Sequence, residues 1–208
     1  MKKITLIFLL STTYIFSNIN VIVSILPVQT FAKSIGGDKV NVSLMVEPGN
    51  SPHTYEPKPS QMKDIARSDL YFAIGVEFED IWLPKFKDLN PKMNLIDLAE
   101  NVQKLPMLER KFYHGDHHCH HNEHAHKGDD PHIWTDPSNV KIITQNIYHA
   151  LQEADPANRD YYKKNLDLFL ATIDETNRQI MHLLTDLPYQ KKIMVFHPSW
   201  GYFAKAYN

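Results

Sequence analysis

The amino-acid sequence predicts an α/β protein built on parallel sheet, with a long helix that joins two lobes. Short apolar runs alternate with helical patterns through the first half of the chain, and proline or glycine separates them. A long amphipathic pattern follows these runs. Strands that alternate with helices in this way pair in parallel, and such sheets bind ligands beyond the carboxyl ends of their strands.

The chain begins with a pattern typical of a secretion signal. Met1, Lys2 and Lys3 precede an apolar run from Ile4 to Phe16 that is too short to span a bilayer comfortably. We expect residues 1–17 to be a signal peptide cleaved after Ser17. No later run is apolar enough for a transmembrane helix, so the mature chain is expected to be exported and soluble.

The next segment, residues 18–153, is predicted to form an N-terminal α/β lobe. Its apolar runs predict strands at Asn20 to Pro27, Val40 to Val46, Asp69 to Ile74 and Met93 to Leu98. Helical patterns are predicted at Phe31 to Ile35, Pro59 to Ala66, Gly75 to Phe86 and from Asp136 to Ala154.

A long helix is predicted over residues 154–188. After Asp155 and Pro156, apolar positions recur at steps of four and three, at Tyr162, Leu166, Phe169, Ile173, Thr176, Ile180 and Leu183. A two-stranded coiled coil is the alternative. The stripe is short, however, and leads into an apolar strand from Lys192 to Phe196, which favours a spine between two lobes. Residues 189–208 are then the start of a C-terminal lobe.

A histidine-rich tract interrupts the N-terminal lobe at residues 114–128. It contains His114, His117, His118, His120, His121, His124 and His126. Neutral imidazole binds borderline cations such as Zn²⁺, so the tract predicts a mobile, low-affinity metal-collecting loop. A plain polar loop and an internal purification tag are the alternatives. Cys119 is the only cysteine, so it is an extra soft ligand or a bystander.

Three further histidines each have a proline neighbour. His53 follows Pro52, His132 follows Pro131, and His197 precedes Pro198. Because proline stiffens the backbone beside it, we expect these imidazoles to be held in fixed positions, as a metal site requires. Three histidines with one open position suit tetrahedral Zn²⁺, and Mn²⁺ is less favoured because it prefers oxygen ligands.

Other histidines and some functions are excluded or disfavoured. His149 and His182 lie on predicted helices without a second ligand one turn away and are expected to be ordinary surface positions. The formal net charge of −2 predicts no basic face for nucleic acid. A zinc hydrolase would use similar ligands, but no His-Glu-x-x-His motif occurs. A surface protein that buffers metal or mediates adhesion stays an alternative.

The ordered motifs resemble one known family. Ser51 to Pro57, the histidine-rich insertion, Asp130 to Pro137 and Phe196 to Phe203 are together similar to the metal-binding substrate-binding proteins of zinc and manganese ABC importers, most closely the zinc branch. The resemblance implies two α/β lobes with Zn²⁺ held between them by His53, His132 and His197. It further implies a monomeric, non-catalytic carrier in the periplasm or outside the cell that delivers metal to a membrane permease.

The chain departs from this family at its end. It stops at Asn208, soon after His197. By the resemblance, most of the second lobe would be missing, and a fourth ligand contributed by that lobe cannot be assigned. Glu77 and Glu79 are nearby carboxylates in chain order, and nothing in the sequence brings either to the metal.

Overall fold

A four-stranded parallel sheet forms the centre of the protein in a computed structural model that describes residues 18–107, 128–185, 187, 195 and 197–207. The predicted signal peptide, the histidine-rich tract and all but one residue of the predicted strand from Lys192 to Phe196 lie outside these residues.

The strands are β1 (Ile19–Val23), β2 (Val40–Leu44), β3 (Leu70–Ala73) and β4 (Asn94–Asp97), in the order β2-β1-β3-β4. Every pairing is parallel, with Val21 opposite Val42 on one side and Leu70 on the other. All four residues of β3 are buried, as expected for a central strand covered on both faces. The prediction of an α/β fold on parallel sheet is confirmed.

Helices cover both faces of this sheet. They are α1 (Leu26–Gly36), α2 (Pro59–Ile65), α3 (Glu77–Leu89), α4 (Pro137–Ala154), α5 (Arg159–Thr185) and α6 (Gly201–Tyr207). Because crossovers between parallel strands are right-handed, this strand order puts α1 on one face and both α2 and α3 on the other. Helices α4 and α5 pack against α1 and against each other, while α2 contacts α3.

The first strand is shorter than predicted. It ends at Val23, and Pro27 lies in the first turn of α1 rather than at the end of the strand. Proline suits that turn because its fixed φ is helical and its missing N–H would have no partner there. The apolar run continues past Val23 because Ile25, at the start of α1, is also buried. Farther along, α1 buries Val28, Ala32 and Ile35.

Helix α5 is long, as predicted, but is buried along only part of its length. Its 27 residues span roughly 40 Å at 1.5 Å per residue. Tyr162, Leu166 and Ile173 are buried, whereas Leu183 near the end is 73% exposed. A 3₁₀ turn over Pro156–Asn158 precedes the helix. Its assignment as the link between two lobes stays a prediction.

A buried polar network joins the ends of β1 and β3. The Ser24 hydroxyl lies 2.7 Å from the Tyr71 hydroxyl and hydrogen-bonds to Glu79, whose carboxylate accepts from the backbone N–H of Ile74 at 3.0 Å and of Gly75 at 2.7 Å. Glu79 is only 3% exposed. Its burial raises the pKa of the Glu79 carboxyl, although the hydrogen bonds oppose the shift. The network fixes the turn from β3 into α3.

This network predicts that part of the stability depends on pH. A raised folded-state pKa means that the stabilisation is complete below the unfolded value, near 4.3, and is lost as pH rises through the folded value. We therefore expect the unfolding free energy of the wild type, relative to Glu79→Gln, to fall as pH increases above about 4.5. Urea unfolding across a pH series measures this difference.

Two controls accompany this experiment. The exposed substitution Glu100→Gln removes the same charge and should give a curve parallel to the wild type. Glu79→Ala leaves buried donors without an acceptor, so it should cost about 1–3 kcal/mol at low pH and show the same change with pH, relative to the wild type, as Glu79→Gln. Parallel curves for the wild type and Glu79→Gln would contradict the role given to burial.

Candidate metal centre

The structure brings together the three histidines that have proline neighbours. His53 lies in the loop after β2, His132 lies after β4 and just before the 3₁₀ turn Ile133–Thr135, and His197 lies just before α6. The imidazole centroids of His132 and His197 are 5.1 Å apart, and those of His53 and His197 are 6.4 Å apart. Residues distant in sequence therefore meet beyond the carboxyl ends of the strands, as the parallel sheet predicted.

The pair His132 and His197 has the spacing of two zinc ligands. Their Nε2 atoms are 3.2 Å apart. At a Zn–N distance of 2.0–2.1 Å, two nitrogens of a tetrahedral set lie about 3.3–3.4 Å apart, and the ring centroids lie roughly 5 Å apart. Both measured distances match these values. A zinc ion could replace the hydrogen bond between the two nitrogens with little movement of either ring.

His53 lies farther out than the other two. Its centroid distance to His197 exceeds the value for a shared zinc ion by about 1 Å. In agreement, no group of three His, Cys, Asp or Glu among the described residues has the arrangement to hold a metal ion as it stands. The His53 side chain is 41% exposed and is carried by a loop, so the required shift lies within its reach.

The His132 ring is fixed from two sides. Asp130 Oδ1 accepts from the backbone N–H of His132 at 2.9 Å and lies 2.7 Å from ring atom Nδ1. Because the carboxylate can only accept, the hydrogen sits on Nδ1 and the lone pair on Nε2 faces His197. The Trp134 ring packs against His132 at 5.3 Å between centroids. By contrast, Trp200 is 42% exposed and packs on Phe203.

Helix α6 is hydrogen-bonded to the segment that carries His132. The buried Tyr202 hydroxyl accepts from the Leu105 N–H at 2.9 Å and donates to the Asp130 carbonyl at 3.0 Å. Burial raises the pKa of the Tyr202 hydroxyl, although the Leu105 N–H opposes the shift. Gly201 lies so close that a Cβ there would be 2.6 Å from Asp130 Oδ2. The segment that carries His197 is thereby tied to the one that carries His132.

The ends of the histidine-rich insertion are paired with each other. Pro106 and Asp129 form an antiparallel bridge, the Met107 N–H bonds to the Gly128 carbonyl at 3.0 Å, and the Asp130 N–H bonds to the Leu105 carbonyl at 2.7 Å. The insertion therefore leaves and rejoins the fold at one place, next to Asp130. The seven histidines between residues 114 and 126, and Cys119, lie outside the described residues, so the accessory loop stays a prediction.

Reasoning from the sequence missed Asp130 at the site and named Glu77 without bringing it to the metal. Asp130 stands two residues before His132, a spacing that could have drawn attention to it. Glu77 hydrogen-bonds to His53 Nδ1, although it starts α3 and lies far from His53 in sequence. No local pattern indicates that contact. His149 and His182 are exposed positions on α4 and α5, as expected.

Comparison with known proteins assigns the chain to a family. Residues 21–208 match the family model described as ZnuA, zinc-uptake complex component A, periplasmic. The chain belongs to the ZnuA family. Proteins of this family are substrate-binding components of metal transporters, and such components work with a membrane permease. Among the described residues, none of the helices combines the length and apolar character needed to cross a membrane.

Individual relatives support the assignment to this family. A crystal structure of ZnuA has 41% identity and a TM-score of 0.78, over 92% of this chain and 68% of that one. The metal ABC transporter substrate-binding lipoprotein ScbA of Streptococcus cristatus is 32% identical over 92% of this chain and 60% of its own length. The manganese ABC transporter substrate-binding lipoprotein scaA of Streptococcus gordonii is 32% identical over 95% and 62%. The chain thus spans about 60% of the length of these curated relatives.

The anchor of α6 gives a stability prediction. Tyr202→Phe removes the hydroxyl that links Leu105 to Asp130 and leaves a buried carbonyl and a partly buried N–H without that partner, so we expect a loss of about 1–3 kcal/mol of unfolding free energy. Tyr207→Phe, in the same helix, removes a hydroxyl that bonds to a single side chain, that of Asn177. Its loss should be smaller. Equal losses in thermal or urea unfolding would contradict the anchoring role.

Proposed function

We propose that this chain is the zinc-binding component of an ABC importer, which captures Zn²⁺ outside the inner membrane and delivers it to the permease. In this proposal His53, His132 and His197 are the ligands, and the protein acts as a monomeric carrier in the periplasm or outside the cell. The spacing of His132 and His197 Nε2, 3.2 Å, is the observation that carries the proposal. Neighbouring imidazole nitrogens at that distance match one edge of a tetrahedral zinc site.

The choice of zinc over manganese rests on ligand chemistry. Three imidazoles form a nitrogen set that suits Zn²⁺, whereas Mn²⁺ favours carboxylate and water oxygens. The similar ZnuA deletion mutant, 42% identical with a TM-score of 0.80, is described as zinc-bound. Transport of manganese is the second candidate, because several relatives, such as that of Streptococcus gordonii, are named for manganese.

The geometry also supports a carrier over a hydrolase. Asp130 is 2% exposed and accepts from the backbone and ring of His132, so it is engaged in holding a ligand rather than directed at a metal-bound water. Glu77 likewise contacts the ring of His53. A hydrolase needs a carboxylate that is placed to take a proton from the attacking water. Asp130 and Glu77 instead hold the imidazole rings, so neither is placed as a base for such a water.

Zinc affinity should depend on His132 much more than on the histidine-rich tract. We expect His132→Ala to weaken zinc binding by more than about 100-fold, since even changes around metal ligands typically cost 10–100-fold. Deleting residues 114–126 should leave the tight site intact and remove only weak additional binding. Competition against a chromophoric zinc chelator measures both, with the exposed helix position His149→Ala as the matched control.

Two outcomes of this titration would contradict the proposal. If deletion of the tract abolishes tight binding while His132→Ala does not, the roles of the two regions are reversed. If the wild type binds Mn²⁺ more tightly than Zn²⁺ in parallel titrations, the second candidate is correct.

A further inference from the structure

We propose that Glu77 is a positioning residue that holds the His53 ring with Nε2 directed at the metal. This inference rests on the proposed zinc function and deepens it by assigning a role to a residue outside the ligand set. Its basis is a hydrogen bond between the Glu77 carboxylate and Nδ1 of His53. A carboxylate can only accept, so the hydrogen lies on Nδ1 and any metal ligation by His53 uses Nε2.

The same arrangement occurs at the second proposed ligand. Asp130 accepts from Nδ1 of His132 at 2.7 Å, and Nε2 of His132 faces His197 at 3.2 Å. His53 and His132 therefore each have a carboxylate on Nδ1. Metal-binding histidines commonly donate their other ring N–H to a carboxylate, which fixes the tautomer and ring orientation and strengthens the ligand. The repetition in two unrelated loops favours one purpose for both carboxylates.

The backbone of Glu77 is firmly placed for this task. Glu77 is the first residue of α3, and it follows the turn at Ile74 and Gly75 whose N–H groups bond to the buried Glu79 carboxylate. His53, by contrast, lies on an exposed loop where an imidazole can turn over and exchange tautomers. A fixed acceptor removes most of these alternatives before the metal arrives, while the loop still allows the shift of about 1 Å that a shared zinc requires.

The burial of the two carboxylates differs and predicts unequal effects. The Glu77 side chain is 39% exposed, and that of Asp130 is 2% exposed. Water can replace part of what Glu77 supplies, so its removal should weaken zinc binding toward the lower end of the range typical for such residues, about 10- to 100-fold. Glu77 is therefore expected to adjust affinity, whereas the ligands themselves determine whether the tight site exists.

The test compares Glu77→Ala, Glu77→Gln and the control Asp80→Ala, which removes an exposed carboxylate from the same helical turn. Zinc affinity by chelator competition should fall about 10-fold or more in Glu77→Ala. The glutamine carbonyl can still accept from Nδ1, so Glu77→Gln should recover most of that loss. Asp80→Ala should match the wild type.

Imidazole ¹H–¹⁵N spectra of the zinc-loaded protein give a readout that a general loss of stability would not change. His53, assigned through a His53→Gln variant, should show a slowly exchanging Nδ1–H in the wild type and Glu77→Gln, and should lose it in Glu77→Ala. Equal, tight zinc binding by all variants would overturn the role of Glu77 alone. Equal losses in Glu77→Gln and Glu77→Ala would overturn the positioning role, because an acceptor for Nδ1–H would then not restore affinity. A wild type without tight zinc binding would overturn the proposed function itself.

Discussion

Asp130 is the residue on which the geometry of the candidate site depends. Its N–H bonds to Leu105, its carbonyl accepts from Tyr202, and its carboxylate accepts from the backbone and ring of His132. A carboxylate that is 2% exposed would be costly to bury without such partners. Every one of these bonds joins a segment that must be in place for the imidazoles to meet. The hydrogen bonds of Asp130 thus close the base of the insertion, hold α6 in place and orient His132 at the same time.

The sheet determines where the site lies. In a parallel sheet all strands end at the same edge, so the loops after β2, β3 and β4 emerge side by side whatever their lengths. His53 and His132 lie in the chain segments after β2 and β4, and Glu77 begins α3 soon after β3. These residues can meet although they are far apart in sequence, because the buried strands β1 and β3 fix the points at which the segments leave the sheet. The chemistry of the site is then decided by a few side chains on stiffened turns.

Periodicity and proline positions were sufficient to predict most of the fold. The parallel sheet, the start of α4 at Pro137 and the long helix α5 follow from local patterns that tertiary packing reinforces. The run from Asn20 to Pro27 misled because a buried strand and the buried side of the following helix have the same apolar composition. Only the backbone hydrogen bonds distinguish the strand from the helix, and in the structure Pro27 lies in the first turn of α1.

The candidate site was predictable in its imidazoles but not in its carboxylates. His53, His132 and His197 stand out because each has a proline neighbour, which is a local signal. Glu77 has no such signal, since its partner comes from another loop, and its place depends on how β2 and β3 lie across β1. Contacts between loops are set by topology. A sequence pattern can therefore indicate ligands that are individually marked while leaving their hydrogen-bond partners undetected.

The proposed zinc site and the proposed role of Glu77 concern opposite nitrogens of the same kind of ring. In the proposed site, zinc binding uses Nε2 of His132 and His197, whose spacing fits a tetrahedral edge with little movement of either ring. Orientation depends on Nδ1 of His53 and His132, each facing a carboxylate. Because a neutral imidazole carries one hydrogen, fixing it on Nδ1 is what presents a lone pair on Nε2. In this proposal the carboxylates act on the metal through the rings, and their loss would leave the ligands present but less well directed.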